Sequence, residues 1–316
     1  VGLLTGLATP TAAATGEIWS ADYWAKKGEV KLNLWRKRVG APKRGEPALP
    51  VVFLVHGSSF GTQSGFDLTV QGQDYSMMNW FARLGFDVWG LDHEGYGRSA
   101  RTASNSDIAC GVEDLKTGVG VVQRESGLTQ YMFYGQSSGA LRAAAFAQAC
   151  PERVERVVLD AFVWTGKGAP TLIKRREGLE YFRTHNRRPV DRAFFHSIFN
   201  RDKPGLSEPA VPDALADAAL ALCDSVPTGT YLDMCANLPV VDPRKIQCPV
   251  LVVRGEHDGI ATEEDLIAFF ALLPHKDKQF VFLPGQAHVG PLGTNRHRFF
   301  HMIHAFLTLP PRKDAG

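Results

Sequence analysis

Gly135-Gln136-Ser137-Ser138-Gly139 sets a serine between two glycines, directly after the apolar run Tyr131–Tyr134 and directly before the alanine-rich stretch Ala140–Ala149. Between a strand and a helix, this G-x-S-x-G pattern forces a sharp turn that holds the serine hydroxyl out at the end of the strand. Glycines flank it because a Cβ there would meet neighbouring chain. Such a hydroxyl is a candidate nucleophile, and the free N–H groups at the start of the helix favour negative charge beside it. Upstream, Val51–Val55 runs into His56-Gly57-Ser58-Ser59, a small-residue loop suited to offering a backbone N–H to a substrate oxygen. Asp92-His93-Glu94-Gly95-Tyr96-Gly97-Arg98-Ser99 follows another apolar run, with glycines spaced for a tight loop.

These loops need a rigid edge to hold them. From Glu29 onward, short apolar runs alternate with longer helix-like segments, the rhythm of βαβ units around a mostly parallel sheet. The pattern predicts strands at Val30–Arg38, Val51–Val55, Asp87–Leu91, Tyr131–Tyr134, Val157–Asp160, Val250–Arg254 and Gln279–Leu283. It predicts helices at Tyr75–Leu84, Ile108–Glu125, Ser138–Ala149, Thr262–Leu272 and Arg296–Leu307. The rhythm breaks between Asp160 and Val250, where helix-like pieces at Leu172–His185, Arg192–Phe199, Asp213–Asp224 and Tyr231–Ala236 are divided by prolines and glycines. The economical division is an N-terminal arm at 1–28, a sheet domain at 29–162 and 241–316, and a helical cap at 163–240 inserted after the sixth strand.

The strand-HG loop, the D-x-x-G-x-G-x-S loop and the G-x-S-x-G elbow, in this order, resemble the α/β-hydrolases. The cap-bearing branch, with its esterases, epoxide hydrolases, haloalkane dehalogenases and carbon–carbon bond hydrolases, is the nearest in pattern, from Val30 to Leu309. The resemblance implies an α/β fold with a mostly parallel eight-stranded sheet. Dehalogenase and epoxide-hydrolase members carry aspartate at the elbow, so Ser137 disfavours those two chemistries. A serine needs a base, and His288, just after the last predicted strand, matches the family's histidine loop. The base needs a carboxylate; Asp258 matches the usual acid position, with Asp160 and Glu256 as alternatives. Backbone N–H groups of Ser138 and Ser58, or Ser59 if the loop is shifted by one, would form the oxyanion hole. The implied reaction is cleavage of a carboxylic ester through an acyl-enzyme, without cofactor or metal. Carbon–carbon bond hydrolysis, acyl transfer or perhydrolysis by the same triad, and a silent small-molecule-binding role, are the alternatives.

The 316 residues are 44% hydrophobic and 22% charged, which fits a folded globular chain and excludes disorder, collagen and coiled coil. A net charge of +2 gives no footprint for nucleic acid. Within 167–192, however, eight basic residues stand against three acidic ones. A solvated helix face or an entrance attracting anions both fit that excess. With the aromatic residues of the insert, it points to a small-molecule ester that is aromatic or carries a carboxylate. No apolar stretch reaches the ~18 residues of a membrane span. Residues 1–14 end in Ala12-Ala13-Ala14, like the back half of a secretory signal; export follows if they are one, a cytoplasmic location otherwise. Of five cysteines without metal or redox spacing, most read as buried small hydrophobes, and Cys223 and Cys235 are close enough in sequence for a disulfide if the protein is exported. Oligomeric state has no signature here.

Overall fold

The computed structural model describes residues 15–312; residues 1–14, the signal-like segment, lie outside them. Eight strands form one sheet: β1 (Ile18–Lys27), β2 (Val30–Val39), β3 (Val51–Val55), β4 (Asp87–Leu91), β5 (Tyr131–Gln136), β6 (Val154–Asp160), β7 (Val250–Gly255) and β8 (Lys278–Leu283). Their spatial order is β1-β2-β4-β3-β5-β6-β7-β8. Only β2 runs against its neighbours. Every residue of β3, β4 and β5 is buried, because helices cover both faces. Helices Ile108–Ser126, Ser138–Ala149 and Glu263–Leu272 pack on one face, and Met77–Arg83 and Arg296–Leu307 on the other. The helix Ile108–Ser126 starts where the Asp107 carboxylate accepts the Cys110 N–H, and it stops at Gly127 in the left-handed region.

Register brings the loops with chemistry to one edge. Val55 pairs with Gly135, Gln136 with Asp160, and Asp160 with Val253, so β3, β5, β6 and β7 end together. That carboxyl edge of an open α/β sheet is where ligands bind.

The N-terminal boundary differs from the sequence reading. Ile18–Lys27, placed in an arm, is a strand paired along its full length with β2. As an edge strand it buries little, and its mixed Trp, Asp and Lys composition hides it from an apolar-run criterion.

Between β6 and β7 the chain forms no strand of the main sheet. Leu172–His185 is three pieces instead of one helix: Pro170–Arg175, a 3-10 turn at Arg176–Gly178, and Leu179–Thr184. The break falls at Gly178, where a Cβ would stand 3.1 Å from the Phe182 ring. Arg192–Asn200 and Val211–Leu220 follow, and Arg187–Pro189 pairs with Ser225–Pro227 as a short ribbon. The insert shares a third apolar cluster with the carboxyl-edge loops, in which Phe195, Phe199, Val211 and Leu215 meet Phe60, Tyr96 and Val289. It is also tied on by polar contacts: Asp233 accepts the Ile108 N–H at 2.9 Å, and Gly229 N–H donates to Asn105 C=O at 2.7 Å.

Candidate active site

Ser137 sits on the turn from β5 into the helix Ser138–Ala149 with φ 58° and ψ −123°, a conformation costly for any residue with a Cβ. Its surroundings fix it there. The Ser137 N–H donates to Asp160 C=O at 2.9 Å. A Cβ at Gly135 would lie 2.4 Å from the Gly139 carbonyl oxygen, and one at Gly139 2.1 Å from that of Val55. Close backbone approach, more than turn conformation, is what requires these two glycines.

His288 Nε2 lies 3.1 Å from Ser137 Oγ, and His288 Nδ1 lies 2.9 Å from Asp258 Oδ1. An ionised carboxylate only accepts, so Nδ1 carries the proton and Nε2 is left to accept the serine hydroxyl. Burial works to raise the Asp258 carboxyl, but the neighbouring His288, the Arg201 charge and the Ile260 N–H hold it below the ordinary carboxylate value. The two competing acids stand elsewhere. Asp160 accepts the Tyr134 hydroxyl at 2.7 Å; burial, with the nearby Asp258 adding to it, pushes its carboxyl up to about 8. Glu256 turns outward and accepts the Gly285 N–H at 2.8 Å.

Ser58 and Ser138 are brought together, their hydroxyls 2.7 Å apart, with Thr230 of the insert donating to Ser58 Oγ at 2.9 Å. Neither amide N–H bonds an acceptor among the described residues. Ser59 faces the insert, where its hydroxyl accepts from Arg188 at 3.0 Å.

A buried network that sequence reading missed braces the Ser58 loop. His56, fully buried, lies with Nδ1 2.8 Å from Gly57 C=O and accepts the His93 N–H on Nε2 at 3.0 Å, which puts its proton on Nδ1. His93 in turn faces Asp114 at 3.1 Å, and Asp114 pairs with Lys27. Burial and the Arg142 charge bring His93 down to about 4. Burial opposes ionisation of Asp114, but His93 and Lys27 prevail and hold it at about 2. Glu94, Cys110 and Asp114 are close enough to hold a metal; the Lys27 ammonium already fills that place, 2.7 Å from Glu94 and 3.2 Å from Cys110. Asp202, Asp258 and His288 are similarly close, and there Arg201 forks onto Asp202 at 2.7 and 3.0 Å.

Above the serine lies a cavity of about 400 Å³ lined from the sheet side by Ser58, Phe60, Ser137 and His288, and from the insert by Lys174, Arg175, Phe194, Ile198, Arg201, Asp202 and Tyr231. Tyr231 is held between cations: the Arg175 guanidinium is 3.8 Å and that of Arg188 4.1 Å from its ring centroid. Burial acts to raise its phenol, but the Arg175 and Arg188 charges prevail and bring it down to about 8.

An eight-stranded, mostly parallel sheet with a serine elbow and a histidine loop at its carboxyl edge defines an α/β-hydrolase. A family model described as serine aminopeptidase, S33, matches residues 51–289, and the chain belongs to that family. No curated protein sequence matches significantly. Among solved structures, a thermophilic esterase from Thermogutta terrifontis is similar at 19% identity and TM-score 0.65, over 91% of this chain and 98% of that one. A carboxylesterase from Bacillus subtilis is similar at 19% and 0.64, over 92% of each chain. A 2-hydroxy-6-oxo-6-phenylhexa-2,4-dienoate hydrolase from a Rhodococcus species is similar at 18% and 0.65, over 91% of this chain and 99% of that one. At such identities these structures share the fold.

Proposed function

We propose that the protein is a serine hydrolase of small carboxylic esters. Ser137 attacks the ester carbonyl as His288 Nε2 takes its proton, and Asp258 keeps Nδ1 protonated and balances the imidazolium. The Ser58 and Ser138 N–H groups take the charge that develops on the carbonyl oxygen. His288 then protonates the departing alkoxide, and a water attacks the acyl-enzyme by the same route. Residues 163–240 act as the cap that shapes the pocket. The observation that carries this reading is the relay Asp258–His288–Ser137, with contacts of 2.9 and 3.1 Å, opening into a cavity of small-molecule size.

The family description names an aminopeptidase, a reaction that needs an acidic group for the substrate's ammonium. Asp202 is the one acid among the residues lining the cavity, and Arg201 occupies it. An ester without a cationic end is therefore the better fit. The test is hydrolysis of short- and medium-chain 4-nitrophenyl esters by the intact protein and by Ser137→Ala. Turnover that falls by ~10⁴ or more in the variant supports the reading; substantial residual esterase activity in a folded Ser137→Ala overturns it.

A further inference from the structure

The cap wall of the cavity carries more positive charge than its own carboxylates neutralise. Arg201 is committed to Asp202. Arg175 and Lys174, which line the cavity, form no ion pair among the described residues; the one hydrogen-bond partner of Arg175 is Met234 Sδ at 3.7 Å. Arg188 lies behind them, buried and also without a carboxylate, bonded instead to Ser58 C=O and Ser59 Oγ at 3.1 and 3.0 Å. Arg175 is half-buried and Arg188 buried, and a guanidinium taken even partly from water without a counter-ion is costly unless something meets it. Stacking on Tyr231 answers part of that need, and leaves the in-plane N–H donors of Arg175 unused apart from the weak sulfur acceptor. Those donors are the fork that recognises carboxylates in a bidentate way. Phe60, Phe194, Ile198 and Val289 add an apolar part to the lining, which suits a hydrocarbon or aryl body.

Resting on the serine-esterase reading, we propose that the substrate is a monoester bearing a free carboxylate, which Arg175 binds with Lys174 at the cap wall while the ester carbonyl lies at Ser137. Arg188 joins the Tyr231 ring to the carbonyl of Ser58.

Two matched substrate pairs test this, one with the carboxylate on the acyl half and one with it on the alcohol half: monomethyl against dimethyl terephthalate, and 4-acetoxybenzoate against its methyl ester. In at least one pair kcat/KM for the anion exceeds that for the neutral ester tenfold or more, and Arg175→Gln lowers that ratio by at least tenfold. A ratio at or below one in both pairs, or one that Arg175→Gln does not move, overturns the proposal. A binding arm separates this from failure of the ester chemistry: Ser137→Ala is titrated with benzoate and with its neutral analogue benzamide. Benzoate binding at least tenfold tighter, lost when Arg175→Gln is added, upholds the carboxylate site whether or not any ester is turned over. Equal affinity for the two overturns it.

Discussion

At the scale of single residues, the two carboxylates at the sheet edge are separated by environment. Asp258 bonds His288, feels the Arg201 charge and is held below the ordinary carboxylate value; Asp160, 4% exposed, is pushed up to about 8 by burial, against the Tyr134 hydroxyl that bonds it. Asp258→Asn should lower kcat by about 10⁴, because the amide cannot enforce the same imidazole tautomer. Asp160→Asn should leave a far smaller mark on turnover but change the pH dependence of stability. With its folded pKa raised to about 8, Asp160 favours the native state fully below its unfolded value and loses that contribution as pH rises through 8, with a slope of up to about 1.4 kcal/mol per unit. Urea titrations from pH 5 to 8 should show this slope removed in Asp160→Asn; an unchanged slope would mean that Asp160 is ionised in the folded protein. Ser137 stands out in the sequence by its G-x-S-x-G motif, whereas His288 and Asp258, each in a loop after an apolar run, are picked out by the family resemblance. The choice of Asp258 over Asp160 came from a family resemblance, since both end runs at the same edge and only packing distinguishes them. The bracing set His56, His93, Asp114 and Lys27 was not legible: its members come from four elements and are joined by hydrogen bonds across 21 to 87 positions.

Most elements of the sheet domain have nearly the expected bounds, the edge strand β8 included; the departures are β1 and the first helix of the insert. β3 and β4 have the bounds their apolar runs suggest, as do the helices Ser138–Ala149 and Arg296–Leu307. β1 escaped because its mixed composition offers no apolar run, and the helix expected at Leu172–His185 is interrupted by a 3-10 turn that ends at Gly178, a residue of low helix propensity. The elbow is the element on which function depends most. Gly139→Ala would drive a methyl into the backbone carbonyl of Val55; overpacking of this kind costs about 1–3 kcal/mol. The expected outcome is a lower urea midpoint together with reduced kcat, since relief of the clash displaces Ser137 from His288. Unchanged stability and activity would show that the turn is not held by this contact.

For the whole molecule, the insert and the sheet share an apolar cluster and several hydrogen bonds at the rim of the site. They should therefore unfold together. Tryptic cleavage within 163–240, a segment rich in arginine and lysine, should track the loss of far-UV circular dichroism in urea; cleavage completed well before that loss would mean that the insert opens independently. Composition had marked the insert as basic and aromatic, yet which cations face the cavity is a product of tertiary packing: Arg175 lines it, whereas Arg183 and Arg192 pair with acids near the surface. The sheet edge carries Ser137, His288 and Asp258, and the insert closes over them a cavity whose wall bears Lys174, Arg175 and Arg201.

The most direct test of a nucleophilic Ser137 is the intact mass of the native protein after exposure to a fluorophosphonate, with peptide mapping of the adduct. One phosphonyl group per chain on Ser137, with labelling lost in His288→Ala, is the expected result, because the hydroxyl reacts only when the base takes its proton. A folded protein that takes no label, or takes it at another residue, would contradict the assignment of Ser137, His288 and Asp258 as a working triad.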